Sequence, residues 1–84
     1  MNKQTPNLKE PSWEQVESSM ISAFRYDESK QLLEVKFQNS DTYRYLNVPV
    51  EVAEGLRQAD SKGSYLQANV IDVYPNRIKH RRRS

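Results

Sequence analysis

The hydrophobic period of this chain changes once, at Val48-Pro49, and that change restricts the fold more than any other feature. Before it, Leu33, Val35 and Phe37 alternate with Glu34 and Lys36, and Tyr43 and Tyr45 flank Arg44. A period of two belongs to a strand with one face buried. The two segments are joined by the turn Gln38-Asn39-Ser40-Asp41. Ahead of them, Ile21 to Tyr26 is rich in aromatic and β-favouring side chains and stops at the polar turn Asp27-Glu28-Ser29-Lys30. Connections this short join antiparallel neighbours. After Val48, the residues Val52, Leu56 and Ala59 fall at i, i+4 and i+7, a helical stripe. Pro49 suits the first helical position, where its missing N–H costs nothing. Gly55 inside the stripe costs roughly 1 kcal/mol relative to Ala, and a need for close packing would justify it. Asp60-Ser61-Lys62-Gly63 breaks that helix. Ser61 or Ser64 caps a second, shorter one with Leu66, Val70 and Val73 on one side, and Pro75-Asn76 stops it. The expected class is α+β: a three-stranded antiparallel meander followed by two short helices packed on one face, in the order β-β-β-α-α.

The ends read differently. Residues 1–15 hold Pro6 and Pro11 among polar groups, and are expected to be a flexible arm. Ser12 and Gln15 have capping-box spacing, so Trp13 either lies on the domain in a single helical turn or stands exposed on the arm. The folded unit is expected over 16–76, with a disordered basic tail over 77–84. Of the 84 residues, 36% are apolar, low beside about 45–50% for globular chains. A modest core plus polar ends accounts for that. The absence of cysteine excludes disulfides and thiolate metal sites. No apolar run approaches the roughly 20 residues of a membrane span. The polar start argues against a signal peptide, so the expected location is the cytoplasm. The net charge of +2 conceals an asymmetry. Arg77, Lys79, Arg81, Arg82 and Arg83 stand together without an acid, leaving residues 1–76 at about −3. On that count the body is slightly acidic, and a basic face on the fold is not expected.

Little points to catalysis. A serine nucleophile at Ser18 or Ser19 needs a base within hydrogen-bond reach, and the single histidine, His80, is in the tail. Asp27, Glu28, Asp41 and Asp72 are scattered over turns and polar faces without metal-ligand spacing. No enzyme activity, metal or cofactor is expected. The loop Asp60-Ser61-Lys62-Gly63-Ser64-Tyr65 leads into a helix start and could hold an anion with Lys62. It lacks the Gly-Lys-Ser/Thr order of a P-loop, and a tight link between helices is the plainer reading. Tyr43 and Tyr45 either stack bases, with Arg44 on phosphate, or fill the gap between sheet and helices as core. Core is the favoured reading, and it leaves Arg44 facing solvent. The tail either neutralises about five phosphates, giving a salt slope near −3.5 on a single strand, or merely solubilises the chain.

The order and spacing of these pieces resemble the KTSC domain family. That family is named for its occurrence at the C-terminus of some lysyl-tRNA synthetases and also includes stand-alone bacterial and phage proteins. Val16 to Ile21, Tyr26-Asp27, Leu33 to Phe37, Val48-Pro49, Leu56, Ala59 to Tyr65 and Tyr74 follow in register, over about residues 16–75. Tyr43-Arg44-Tyr45 matches the family's Tyr-x-Tyr hallmark. The resemblance implies the fold described above, with Tyr43, Tyr45, Ser61, Gly63 and Tyr65 as structural positions. Its synthetase context suggests RNA binding. Arg25 stands where the family usually has glycine, Ser40 where a turn glycine is common, Leu66 where phenylalanine is usual, and Ile71 where arginine is frequent.

The leading expectation is therefore a non-catalytic module that contacts RNA or another single-stranded nucleic acid. Its contacts would be Arg77, Lys79, Arg81, Arg82 and Arg83, with Arg25, Arg44 and Lys62 from the body. The competing expectation is a small protein-interaction module of bacterial or phage origin, meeting its partner through Trp13 or Tyr65. Convergence of Arg25, Arg44, Lys62 and the tail root on one face favours nucleic acid, and an open apolar patch favours protein.

Overall fold

The structure is a computed structural model that describes residues 12–79. Arg81, Arg82, Arg83 and most of the arm lie outside the described residues. The order is β1 (Glu14–Gln15), β2 (Ile21–Asp27), β3 (Leu32–Phe37), β4 (Thr42–Tyr45), α1 (Val50–Gln58), α2 (Lys62–Asn69) and β5 (Asn76–Lys79). Among the described residues these strands form one antiparallel sheet in the order β1-β2-β3-β4-β5. The class is α+β, as the sequence led us to expect, but the meander has five strands rather than three.

Both added strands correct an expected boundary. Residues 14–15, within the expected arm, form β1, where Glu14 pairs with Phe24 and Gln15 with Ala23, in place of the helical turn that was one of the two readings of this segment. The tail expected to be disordered from 77 contributes β5, which pairs with β4 from Asn76 to Lys79. Each is short and polar and lies at a sheet edge, where charge is protective and hydrophobic alternation is not required.

β2 shows no clean period of two because its register shifts between Ile21 and Ala23. This bulge lets Ile21 and Phe24 both enter the core, at 0% and 1% exposure. An inserted residue reverses which side the following residues face. The core joins them to Leu33, Val35, Tyr45 and Val48 from the sheet side and to Leu56, Leu66 and Val70 from the helices. The helices thus cover one sheet face and leave the other bare.

Ser61 caps α2, accepting from the Ser64 N–H at 3.3 Å. That helix ends at Asn69, short of the expected reach. Val70 is buried, but Val73 lies outside the helix and is 57% exposed. In α1, Ala53 and Leu56 are the buried positions.

Gly55 has a packing reason. A Cβ there would overlap the Tyr65 hydroxyl and sit 2.7 Å from its Cζ. The Tyr65 ring crosses α1 at this gap and its Oη donates to the Val52 carbonyl at 2.9 Å. Gly55→Ala gains about 1 kcal/mol of helix propensity but forces the ring aside, at roughly 1–3 kcal/mol. We expect a net loss near 1 kcal/mol in the wild-type background and a net gain when Tyr65 is also alanine, read from a double-mutant cycle of urea midpoints.

Ser40 closes the β3–β4 turn at φ 81°. This is left-handed backbone, which costs a residue with a Cβ roughly 1–2 kcal/mol. Glycine removes that cost and returns roughly 0.5–1 kcal/mol of it as unfolded-state freedom. Ser40→Gly should therefore raise the urea midpoint at constant slope, and a lowered midpoint would refute the strain.

Candidate nucleic-acid interface

The bare sheet face is built by register. Arg25 pairs with Glu34, Glu34 with Arg44, and Arg44 with Arg77, so one row crosses β2, β3, β4 and β5. Residues directly opposite in an antiparallel pair share a face. The neighbouring row runs Ala23, Lys36, Thr42 and the position of Lys79. The alternation that sends Leu33, Val35, Tyr43 and Tyr45 under the helices sends Glu34, Lys36 and Arg44 to this face.

One carboxylate organises the row. Glu34 is 5% exposed, the single buried charged residue among those described. Arg25 donates through Nε to Glu34 Oε1 at 2.5 Å. On the other side, Arg44 Nε stands 3.2 Å from Glu34 Oε2. That contact is an ion pair but is too poorly aligned for a hydrogen bond, and Nε has no other partner. The side chains of Arg25 and Arg44 are 15% and 41% exposed. Trp13 extends the face at the β1 edge. Arg25 Cζ lies 4.4 Å and Lys36 Nζ 4.5 Å from its ring centroid, within cation–π range. Trp13 is half-buried and immediately precedes β1.

Besides Glu34, Asp27 falls at the end of this face by register, and Glu14 and Glu54 lie on the other side. Glu54 and Glu14 are both bound by Arg57, on the side of the sheet that faces α1. This hydrogen-bonded pairing holds the Glu14 carboxyl below its usual range and raises the Arg57 guanidinium. Asp27 is drawn into its own turn by the Ser29 hydroxyl and N–H. Net charge was therefore a poor guide: a slightly acidic body presents a face carrying Arg25, Lys36, Arg44 and Arg77, which corrects the expectation that the fold has no basic face.

The other expected residues separate from this group. Lys62 donates to the Ala59 carbonyl at 2.8 Å, tying the end of α1 to the start of α2, on the helical side. Tyr45 is 1% exposed, and Tyr43 stacks on it with centroids 6.2 Å apart. Phe37 meets Tyr43 edge-on at 5.1 Å. Both hallmark rings are in the core region, so the bare face has no platform of tyrosines. Gly63 is buried, and a Cβ there would approach Met20 Sδ at 3.1 Å. Beside it a polar groove of about 500 Å³ runs between residues 15–19 and 60–62. Two of its hydroxyls are engaged: Ser18 Oγ accepts from the Met20 and Ile21 N–H groups, and Ser61 is the helix cap. Among the described residues no His, Cys, Asp and Glu cluster could hold a metal, and no helix is long and apolar enough to cross a membrane.

Sequence reasoning missed Lys36 and Trp13 as members of the face and Glu34 as its hub. The period of two already pointed Glu34 and Lys36 away from the core. Pairing them with Arg25 and Arg44 needed the register.

Comparison with known proteins supports the architecture. The profile of the KTSC domain matches residues 17–74. A lysine–tRNA ligase of Nostoc sp. is 43% identical over 49 residues, 58% of this chain but 9% of the ligase. An uncharacterised protein of Stutzerimonas stutzeri is 42% identical over 50 residues, covering 60% of this chain and 70% of that one. The crystal structure of a KTSC domain protein from Yersinia pestis superposes with a TM-score of 0.79 at 29% identity, over 82% of this chain and 97% of its own.

Proposed function

The chain belongs to the KTSC domain family, and we propose that it is a non-catalytic module that binds single-stranded nucleic acid, RNA foremost, through the phosphate backbone. The observation that carries this reading is the cross-strand row Arg25–Glu34–Arg44–Arg77, with Lys36 beside it, on the sheet face that the helices do not cover. Like charges directly opposite each other on a sheet, such as Arg44 and Arg77, destabilise it unless an anion lies between them. A phosphate is such an anion. Buried tyrosines leave little for base recognition, so affinity should be salt-dependent and nearly indifferent to sequence. Lysine–tRNA ligases carry a matching stretch, and that context favours RNA over DNA. A protein partner has less support. Val73 is the single large hydrophobic residue that is exposed among those described, and one residue does not make an apolar patch.

The test is a salt-dependent titration of the full chain with single-stranded RNA, single-stranded DNA and duplex. Two variants separate the face from the tail: Arg44→Gln with Arg77→Gln, and Arg81→Gln with Arg82→Gln and Arg83→Gln. Truncation at Asn76 is unsuitable because it deletes most of β5. We expect the face variant to lose about 0.7 of log–log salt slope per phosphate contact removed. Binding that depends on the tail trio alone would reduce the activity to unspecific charge, and no binding at low salt would end the nucleic-acid reading.

A further inference from the structure

Arg44 and Arg77 differ from the other cations of the face. Arg25 is engaged with Glu34 by a short, well-aligned bond and lies against Trp13. Lys36 also lies against Trp13. Arg44 comes nearest to Glu34 through Nε, 3.2 Å away and without a hydrogen bond. Arg77, directly opposite it in register, is exposed. A guanidinium is a planar fork with its Nε–H on one edge and its Nη groups at the tip. An ion pair with the buried Glu34 carboxylate on the Nε side draws that edge inward and turns the Nη tip away from it. Glu34 is immobile enough to do this, being 5% exposed and anchored from the other side by Arg25.

From this arrangement we infer that Arg44 and Arg77 form the phosphate-gripping element of the face, and that Glu34 is a positioning residue that aims the Arg44 fork at the phosphate. The inference rests on the nucleic-acid reading above and deepens it. It assigns a carboxylate, which repels phosphate, a favourable role in binding it. The ligand chemistry is a phosphodiester oxygen pair, taken bidentately by Arg44 and completed by Arg77 from the neighbouring strand. Thr42, adjacent on β4 and sharing the face, adds a hydroxyl within the same patch.

A charge-only account predicts the opposite sign for Glu34, which makes the inference testable. The probe is a labelled oligouridylate RNA titrated against the full chain at two salt concentrations, with folding of each variant followed by circular dichroism. Glu34→Gln raises the net charge by one but offers a single acceptor oxygen to two arginines. The more weakly held Arg44 is then released. Affinity is expected to fall by at least about threefold, against the gain that charge alone would give. Arg44→Lys keeps the charge and leaves Glu34 in place, so it tests the fork even if Glu34→Gln does not fold. It is expected to weaken binding roughly five- to tenfold with an almost unchanged salt slope. Lys62→Gln, on the helical side, serves as the charge control and should stay within about twofold of wild type. Tighter binding by folded Glu34→Gln, or wild-type affinity of Arg44→Lys, overturns the positioning role while leaving the nucleic-acid reading intact. Failure of the wild-type chain to bind the RNA overturns both.

Discussion

Replacing Tyr45 by alanine should remove roughly 3–5 kcal/mol of stability, the usual range for deleting a buried aromatic ring. A chain of 84 residues has about 4–12 kcal/mol in total on per-residue scaling, so this one change brings the domain to the edge of unfolding. Tyr45 is the largest of the fully buried side chains. It pairs with Leu33 across β3 and supports Tyr43, and beneath the sheet it belongs to the same cluster as Leu56, Leu66 and Val70. The melting temperature should fall by about 15–30 °C, at 4–8 °C per kcal/mol for a domain of this size. Tyr45→Phe keeps the ring and should cost far less. That variant also isolates an alkaline effect. Burial pushes the Tyr45 hydroxyl up to about 12, two units above its ordinary value near 10. The unfolded chain releases this proton first, so between these pH values the folded state holds more protons than the unfolded one. Stability must then fall as pH rises, by about 1.4 kcal/mol per unit of displacement once the folded-state value is passed. Tyr26, whose hydroxyl donates to the Val48 carbonyl, is raised by burial in the same direction. Urea midpoints followed through the alkaline range should decline less steeply in Tyr45→Phe than in wild type. Equal slopes would show that the hydroxyl does not titrate with unfolding.

What could be read from the sequence follows from how local each determinant is. Strands β3 and β4 were legible because both bury one face and their turns fix an antiparallel path. α1 was legible from its stripe and Pro49. β2 was located but its facing was hidden, since a bulge at Ser22 moves Ile21 and Ala23 to opposite sides. Strands β1 and β5 were missed because edge strands of two and four residues carry little apolar pattern and derive their order from a neighbour. The site was legible one residue at a time and not as a set. Arg44 was seen to face away from the core, but its partner Glu34 and its neighbour Arg77 are set by pairings across three strands. Lys62 does not join that set: it lies on the helical side, where its ammonium donates to the Ala59 carbonyl in the tight link between helices that was the plainer reading of its loop. Chain-wide charge concealed the rest, because alternation along strands sorts charges by face and a net count does not.

Glu34 is also expected to dominate the stability of that face, with a sign that depends on what replaces it. Glu34→Ala leaves the Arg25 guanidinium, 15% exposed, without its carboxylate. Removing one partner of a buried ion pair typically costs 3–5 kcal/mol. Arg44 is 41% exposed and can turn to water, so we expect a loss at or just below the bottom of that range, about 2–3 kcal/mol. Replacing Arg25, Glu34 and Arg44 together by methionine removes the desolvation cost along with the attraction. Such replacements of buried ionic triads are often neutral or stabilising by about 1–4 kcal/mol. Here the gain should be at the low end, because the row is open to solvent at Arg44 and methionine would expose apolar surface. The triple variant should therefore be more stable than Glu34→Ala while losing affinity for RNA. A Glu34→Ala midpoint equal to wild type would show that the carboxylate is not needed to hold the two arginines. A triple variant less stable than Glu34→Ala would show that the row contributes net stability rather than merely compensating its own burial. The expected outcome, a costly single change and a tolerated triple one, is that of a charged row that compensates its own burial and adds little net stability.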